Sequence, residues 1–331
     1  MDFSLNEMAS SQQSNSQGVK ILIIGSGPAG LSAALYAARA DLNPLVLTGM
    51  ELGGQVSLTY TVENYPGFPD GVGGTQLVEL FQKQAERFGA RLEWDSATEV
   101  NLSERPFRVR TYNSEYLADA LIISTGATPI HLHVPGETEL TGRGVSYCAT
   151  CDGWFFKDKD VVVVGGGDSA LEEGIFLTRY ARSVTIVHRR EAFRAGAILQ
   201  KRAMENPKVK FILNSIVTEI KGDEAVNVVR LKDVVTSEER DYPVDGVFIF
   251  IGHRPNTQLF EGQLQLNDRG YIVANQLMHT NIPGVFAAGE VADPTFRQVI
   301  TSAGMGAAAA MQAIQFLEKQ AESSAESKVT A

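Results

Sequence analysis

The sequence predicts an α/β chain made of two parallel-sheet units, the second inserted into the first. Three observations predict it. A strand, Gly-rich turn, helix and second strand follow one another twice. Each copy closes on a later apolar strand that runs into a glycine. No third Gly-rich opening turn follows Asn256, although one more strand-glycine element, Val285-Phe286-Ala287-Ala288-Gly289, does. The chain therefore returns to its first unit after completing the second.

The first copy is the strand Val19–Ile24, the turn Gly25-Ser26-Gly27-Pro28-Ala29-Gly30 and an Ala-rich helical stretch to Ala40, followed by the strand Leu45–Leu47. The second is Val161–Val164, then Gly165-Gly166-Gly167-Asp168-Ser169-Ala170, a helical stretch to about Tyr180, and Val184–Val187. Leu121–Gly126 closes the first unit and Val247–Gly252 the second. A β-α-β unit with such a turn is the context of a Rossmann-like dinucleotide-binding domain. A dinucleotide carries a pyrophosphate, and backbone N–H groups approach it only where no Cβ intervenes. Gly25 allows the tight turn, Gly27 the approach of the phosphate, and Gly30 the packing of helix on strand. The helix N-terminus adds about half a positive charge. Gly165, Gly167 and Ala170 take the same roles in the second copy, with Asp168 and Ser169 beside them. One such turn alone is weak evidence; two in matching context are not.

The strand ends distinguish the two sites. After Val187 come His188, Arg189 and Arg190, then Arg194. An NAD site places a carboxylate there for the ribose 2′-hydroxyl, whereas an NADP site uses planar guanidinium groups that match phosphate oxygens. The arginines favour NADPH over a merely solvated basic face. After Leu47 the first carboxylate is Glu51, late for a ribose contact.

Composition bounds the rest. The 331 residues suit about two domains, and 44% hydrophobic content suits packed cores. Twenty-nine Lys and Arg against 39 Asp and Glu leave a net charge of −10, which argues against a nucleic-acid surface. No apolar run approaches the ~18 residues of a membrane span, and Met1–Gln17 lacks the basic and apolar regions of a secretory signal. A cytoplasmic protein is expected. The division expected is a disordered tail over 1–18, one nucleotide domain from 19–130 and 256–320, a second over 131–255, and a disordered tail over 321–331. The crossings fall at Thr128–Pro135 and His253–Asn256.

The chain has two cysteines, Cys148 and Cys151, spaced C-x-x-C. That number excludes a disulfide scaffold and a four-cysteine zinc site. Two intervening residues allow a tight intrachain disulfide, with one sulfur near a local helix N-terminus. Asp152 beside the pair is a candidate acid and base, suited to protonating the thiolate released when the disulfide opens. An inert thiol pair, or half of a metal site completed by His131 and His133, is the bland alternative, with no metal site expected.

These motifs, together with Gly53-Gly54-Gln55, Glu63-Asn64-Tyr65-Pro66-Gly67 and Arg297-Gln298-Val299, occur in the order found in low-molecular-weight thioredoxin reductases, which the chain resembles from Val19 to Leu317. The resemblance implies an FAD domain, an inserted NADPH domain carrying the cysteines, a homodimer, and thioredoxin as partner. It implies that Gly53, Gly54, Gln55, Asn64, Glu290, Arg297, Gln298 and Val299 line the FAD, with Glu51 nearby. It also implies that Cys151 lies nearer the flavin and Cys148 attacks the partner disulfide. Glu290 departs from the usual Asp, Trp154 from the usual Phe, and the N-terminal tail is longer than usual. Ile300–Phe316 reads as a helix rich in small residues, whose N-terminus could stabilise charge on a reduced flavin. Relatives serving a peroxiredoxin-linked or ferredoxin-fed system are rival readings within enzymes, and a flavin redox sensor without turnover is one outside them. Arginines at Arg189, Arg190 and Arg194 favour direct use of NADPH.

Overall fold

The structure is a computed structural model and describes residues 16–59 and 61–329. The chain divides into two compact units. The first comprises the described chain up to Ser57, Gly74–Ala127 and the chain from Pro255 onward; the second comprises Leu58–Gly73 and Thr128–Arg254. Residues 58–73 thus fall with the second unit rather than the first, a difference from the expected division. That segment closes on itself through reciprocal backbone bonds between Val62 and Val72, 2.7 and 3.0 Å long.

The first unit opens with β1 (Gln17–Ile24), α1 (Pro28–Arg39) and β2 (Leu45–Leu47). It continues with α2 (Gly74–Arg87), β3 (Arg91–Glu93), β4 (Ala97–Asn101), β5 (Phe107–Thr111) and β6 (Glu115–Ile123). Most of the tail expected over 1–18 lies outside the described residues, but Gln17 and Gly18 pair with Tyr116 and Leu117 and belong to β1. Leu22–Ile24 lie parallel to Leu45–Leu47 on one side and to Leu121–Ile123 on the other. A parallel strand inside such a sheet is apolar on both faces. Ile21 and Ile23 accordingly enter one core, with the alanines of α1, while Leu22 and Ile24 enter the other, with Phe107, Val109 and Tyr116. Each such fully buried side chain contributes about 1.5–3 kcal/mol.

The chain leaves the first unit along β7 (Ala127–Pro129). The second unit then runs through β8 (Val145–Ser146), α3 (Ala149–Asp152), β9 (Asp160–Val164), α4 (Asp168–Leu177), β10 (Ser183–Val187), α5 (Ala197–Glu205) and β11 (Val209–Ile212). A three-stranded antiparallel sheet, β12 (Ser215–Lys221), β13 (Val228–Asp233) and β14 (Glu239–Pro243), precedes β15 (Gly246–Ile249). The five-stranded sheet has the order β11-β10-β9-β15-β8 and is parallel throughout. Val161 and Val163 face one core and Val162 and Val164 the other, so the same alternation that built β1 builds β9.

The chain returns through β16 (His253–Pro255) to β17 (Val285–Ala287), which joins the first sheet beside β6, and to α6 (Val299–Val329). The helix expected over Ile300–Phe316 is therefore longer. The tail expected over 321–331 is corrected for its described part: residues 321–329 continue α6. Ala, Glu and Lys are good helix formers, and a polar composition does not by itself separate a solvated helical end from a disordered one. The buried alanines Ala309, Ala310 and Ala313 of α6 pack with α1. Gly306 lets the two helices meet, because a Cβ there would collide with the Ala29 carbonyl oxygen. Among the described residues, no helix is long and apolar enough to cross a membrane.

Candidate active site

The first Gly-rich turn joins β1 to α1. Gly25 has φ +105° and donates its N–H to Leu47 O at 2.9 Å. A Cβ there would strike the Ser124 carbonyl, and one on Gly30 would strike Gly25 O. Gly27 behaves differently. It caps α1 with no side-chain hydrogen bond, and a Cβ on it would meet nothing within 4 Å. Residue 27 therefore offers the N–H groups of the first turn of α1 no side-chain cap and leaves room where its own side chain would stand, which fits a pyrophosphate.

Other parts of the first unit gather at this turn. The buried Ser26 hydroxyl donates to Thr48 O at 3.0 Å and accepts from Gly53 N at 3.2 Å. It thereby draws the 48–54 loop, including the exposed Glu51, against the cradle. Gly53 and Gly54 have φ +91° and +59°, and an added Cβ on Gly54 would lie 3.8 Å from Gly27 Cα. Gln55 follows in a short 3-10 helix over Gly54–Leu58. From the far end of the chain, Gly289 packs on Ala29 of α1. Glu290 beside it is held well above an ordinary carboxylate, at about 7, chiefly by burial; Arg297 opposes that shift and Asp293 adds to it. Asp293 accepts from the N–H groups of Thr295 (2.8 Å), Phe296 (2.9 Å) and Arg297 (3.2 Å). This turn carries Arg297, in the left-handed region at φ +51°, with Gln298 into Val299, the first residue of α6. The structure thus brings Gly25, Gly27, Gly30, Glu51, Gly53, Gly54, Gln55, Glu290, Arg297, Gln298 and Val299 into one unit. Asn64 lies in the Leu58–Gly73 segment of the other.

The second turn joins β9 to α4. Gly165 has φ +155° and donates to Val187 O at 3.1 Å; a Cβ on it would collide with Phe250 O and Ala170 Cβ. Gly167 caps α4 with no side-chain bond and opens onto free space, as Gly27 does. Asp168 and Ser169 form the exposed first turn of α4. The His188 ring covers Gly166, donates from Nε2 to Ala192 O at 3.2 Å, and stacks on Phe193. Burial first, opposed by the bond to Ala192 O and then aided by the neighbouring arginines, holds its pKa below the usual value and favours the neutral imidazole. The following loop is clamped to the turn: Arg194 N donates to Gly166 O at 2.7 Å and Gly196 N to Asp168 Oδ1 at 2.7 Å. Arg189, Arg190 and Arg194 are all exposed on it.

The cysteines lie at the carboxyl end of β8, at the same edge of the parallel sheet as the second turn. In an open parallel sheet that is the edge where ligands bind. Cys148 and Cys151 form a disulfide. Cys148 caps α3, its sulfur accepting from Cys151 N at 3.2 Å and lying 3.3 Å from Thr150 Oγ1. The Asp152 carboxyl is pushed up by burial, and the Ser146 hydroxyl, 2.6 Å from Oδ2, opposes that shift. Beyond the pair, Trp154 and Phe155 are exposed, and Trp154 lies edge-on to Tyr180. Glu137, which sequence reasoning passed over, is 2% exposed and accepts from Leu132 N (2.9 Å), His133 N (2.7 Å) and Tyr147 Oη (2.8 Å). These donors keep its pKa low despite burial. The segment that includes His131 and His133 is therefore fastened to the residue preceding Cys148. Among the described residues, no group of three or more His, Cys, Asp or Glu could hold a metal.

Two dinucleotide cradles and a disulfide define a pyridine-nucleotide-dependent disulfide oxidoreductase. The profile of the pyridine nucleotide-disulphide oxidoreductases matches residues 19–309. A thioredoxin reductase of Mycolicibacterium smegmatis is 51% identical over 302 residues, covering 91% of this chain and 97% of that protein. One from Rickettsia prowazekii is 49% identical over 305 residues, 91% of this chain and 98% of that one. The crystal structure of thioredoxin reductase from Streptococcus pyogenes MGAS5005 matches with a TM-score of 0.88 at 42% identity, over 92% of this chain and 99% of that one. That from Giardia duodenalis matches with a TM-score of 0.87 at 41% identity, over 92% and 100%. The chain belongs to the pyridine nucleotide-disulphide oxidoreductases and, within them, to the bacterial-type thioredoxin reductases. It is an oxidoreductase that uses FAD and NADPH.

Proposed function

We propose that the chain reduces the disulfide of thioredoxin with electrons from NADPH: NADPH + H⁺ + thioredoxin disulfide → NADP⁺ + thioredoxin dithiol. The observation that carries this reading is the Cys148–Cys151 disulfide with Asp152 beside it, at the sheet edge that also bears Gly165–Gly167 and the arginine loop. FAD, when bound, supplies the two-electron carrier between hydride donor and disulfide. Gly25, Gly27, Gly30, Gly53, Gly54 and Gln55, with Asn64, Glu290 and Arg297–Val299, hold it noncovalently. Gly165, Gly167, Asp168, Ser169 and Ala170 receive the NADPH pyrophosphate, and His188, Arg189, Arg190 and Arg194 its 2′-phosphate end. Residues 19–130 and 256–320 act as the FAD domain and 131–255 as the NADPH domain.

Cys148 is the sulfur that attacks thioredoxin and Cys151 the one that faces FAD. Asp152 gives a proton to the thiolate released when their disulfide opens. Trp154 shapes the surface that receives thioredoxin. The working protein is a cytoplasmic homodimer. The test is NADPH-dependent reduction of a chromogenic disulfide with and without thioredoxin. Turnover that requires thioredoxin supports the reading, whereas turnover only with a peroxiredoxin-linked acceptor or reduced ferredoxin, or none at all, overturns it. The purified protein should be yellow and release free FAD on heating; a colourless protein would end the flavin assignment.

A further inference from the structure

Asp152 must hold a proton in one state of the cycle and lack it in the next, inside a partly buried pocket. A buried carboxyl that changes charge normally leaves one of its neighbours mismatched. The neighbour here is a single hydroxyl, Ser146 Oγ, at the end of β8 and itself 4% exposed. It lies 2.6 Å from Asp152 Oδ2, 3.1 Å from Cys148 N and 3.2 Å from Cys148 O. Cys148 O also accepts from Asp152 N at 3.2 Å.

A serine hydroxyl has one proton to donate and two lone pairs to accept with. When Asp152 is protonated, its O–H donates to Ser146 Oγ, Cys148 N–H donates to the same oxygen, and Ser146 donates to Cys148 O. When Asp152 is ionised, Ser146 turns its proton to Oδ2 and still accepts from Cys148 N–H. Cys148 O keeps the Asp152 N–H, so nothing is orphaned. Asp152 Oδ2, Ser146 Oγ and Cys148 O each keep a hydrogen bond in both charge states, and apart from the acid proton itself only the Ser146 hydrogen moves.

From this geometry we infer that Ser146 is a positioning residue for the thiol–disulfide chemistry, a hydroxyl that turns between Asp152 and Cys148 O as Asp152 loses and regains its proton. The inference rests on Asp152 being the acid of the proposed function. Opening of Cys148–Cys151 takes up two electrons and yields two thiolates. The Asp152 proton then passes to one sulfur; no electrons move in that step, and the carboxylate left behind receives the Ser146 hydroxyl. Regaining a proton from solvent reverses the turn.

The test is a double-mutant cycle on thioredoxin turnover. Ser146→Ala removes one oxygen and adds nothing, so the fold should tolerate it, and FAD content checks that. It should lower kcat on the order of tenfold, the effect of losing a hydrogen bond to a charged group. Because the carboxylate loses the donor that stabilises its charged form, the high-pH limb of kcat should move upward. In the Asp152→Asn background, Ser146→Ala should cost little further, because the proton it serves is gone. The inference is overturned if Ser146→Ala leaves kcat and its pH profile unchanged, or if it costs the same factor in both backgrounds, the result of a purely structural role. If Asp152→Asn alone turns over at the normal rate, the acid assignment itself fails, and the inference with it.

Discussion

At the scale of the residue, Cys148 and Cys151 occupy unequal positions. Cys148 is the cap of α3 and accepts the Cys151 N–H, so its sulfur is the one whose thiolate the local backbone favours. That inequality suits Cys148 to nucleophilic attack on an outside disulfide. Cys148→Ser should therefore still allow NADPH to bleach the flavin absorbance, since hydride transfer does not use the disulfide, while thioredoxin turnover is abolished. Stopped-flow absorbance and the coupled assay read the two separately, and retained turnover would contradict the assignment. Asp152→Asn should slow the thiol–disulfide steps by a factor on the order of 10²–10⁴ and flavin reduction much less. C-x-x-C and the adjacent carboxylate were legible because their chemistry is local in sequence. Ser26, Glu137 and Asp293 were not. Ser26 works on Gly53, 27 positions away. Glu137 and Asp293 work on backbone N–H groups, which leave no mark on residue identity. The Asp293-Pro294-Thr295 run is the one signal that could have flagged its turn.

At the scale of the element, the two β-α-β turns show why glycine spacing is readable. Gly25 and Gly165 take backbone angles and clearances that a Cβ forbids, while Gly27 and Gly167 leave bare helix N-termini open to a phosphate. The backbone angles and the helix caps act within six residues, so the sequence carries them, whereas the clearances against Ser124 and Phe250 depend on strands far off in the chain. The extent of α6 was not readable in the same way, because the sequence of 321–329 carries no apolar stripe and helix propensity alone is a weak guide. The arginine loop combines both situations. Its charges are visible in sequence, but its anchorage through Gly166 O and Asp168 Oδ1 is not. That anchorage leaves the guanidinium groups exposed on a fixed backbone. A charge-assisted hydrogen bond contributes roughly 1.5–3 kcal/mol. Arg189→Ala and Arg190→Ala should each raise KM for NADPH by about tenfold or more and change that for NADH little. Steady-state kinetics with both nucleotides decide it, and equal damage to the two would remove the 2′-phosphate assignment.

At the scale of the whole molecule, the assignments distribute one reaction over two units. The disulfide and the Gly165–Gly167 cradle belong to the second unit, both at the carboxyl edge of one parallel sheet, whereas the Gly25–Gly30 cradle belongs to the first. Under the proposed function, hydride delivery and disulfide reduction would each bring a different part of the second unit to the FAD held by the first. Under the proposed function thioredoxin would also need access to Cys148, which it would not have while the disulfide takes electrons from FAD. On that reading one fixed arrangement would not serve all three events. The chain passes between the units four times, at Ser57–Leu58, Gly73–Gly74, Ala127–Thr128 and Arg254–Pro255; the last two lie on the paired strands β7 and β16, and paired crossings of this kind are what a hinged rotation needs. Such motions fall in the μs–ms range and are slow enough to set kcat. The expectation is a rotation of one unit against the other in every turnover. Cysteine pairs introduced across the units and oxidised should yield locked proteins of two kinds. One kind reduces its flavin with NADPH but fails to pass electrons to Cys148–Cys151; the other exchanges electrons between disulfide and flavin but accepts none from NADPH. Reduction of the crosslink should restore full turnover in both. A locked protein that reduces thioredoxin at the normal rate would show that a single arrangement suffices.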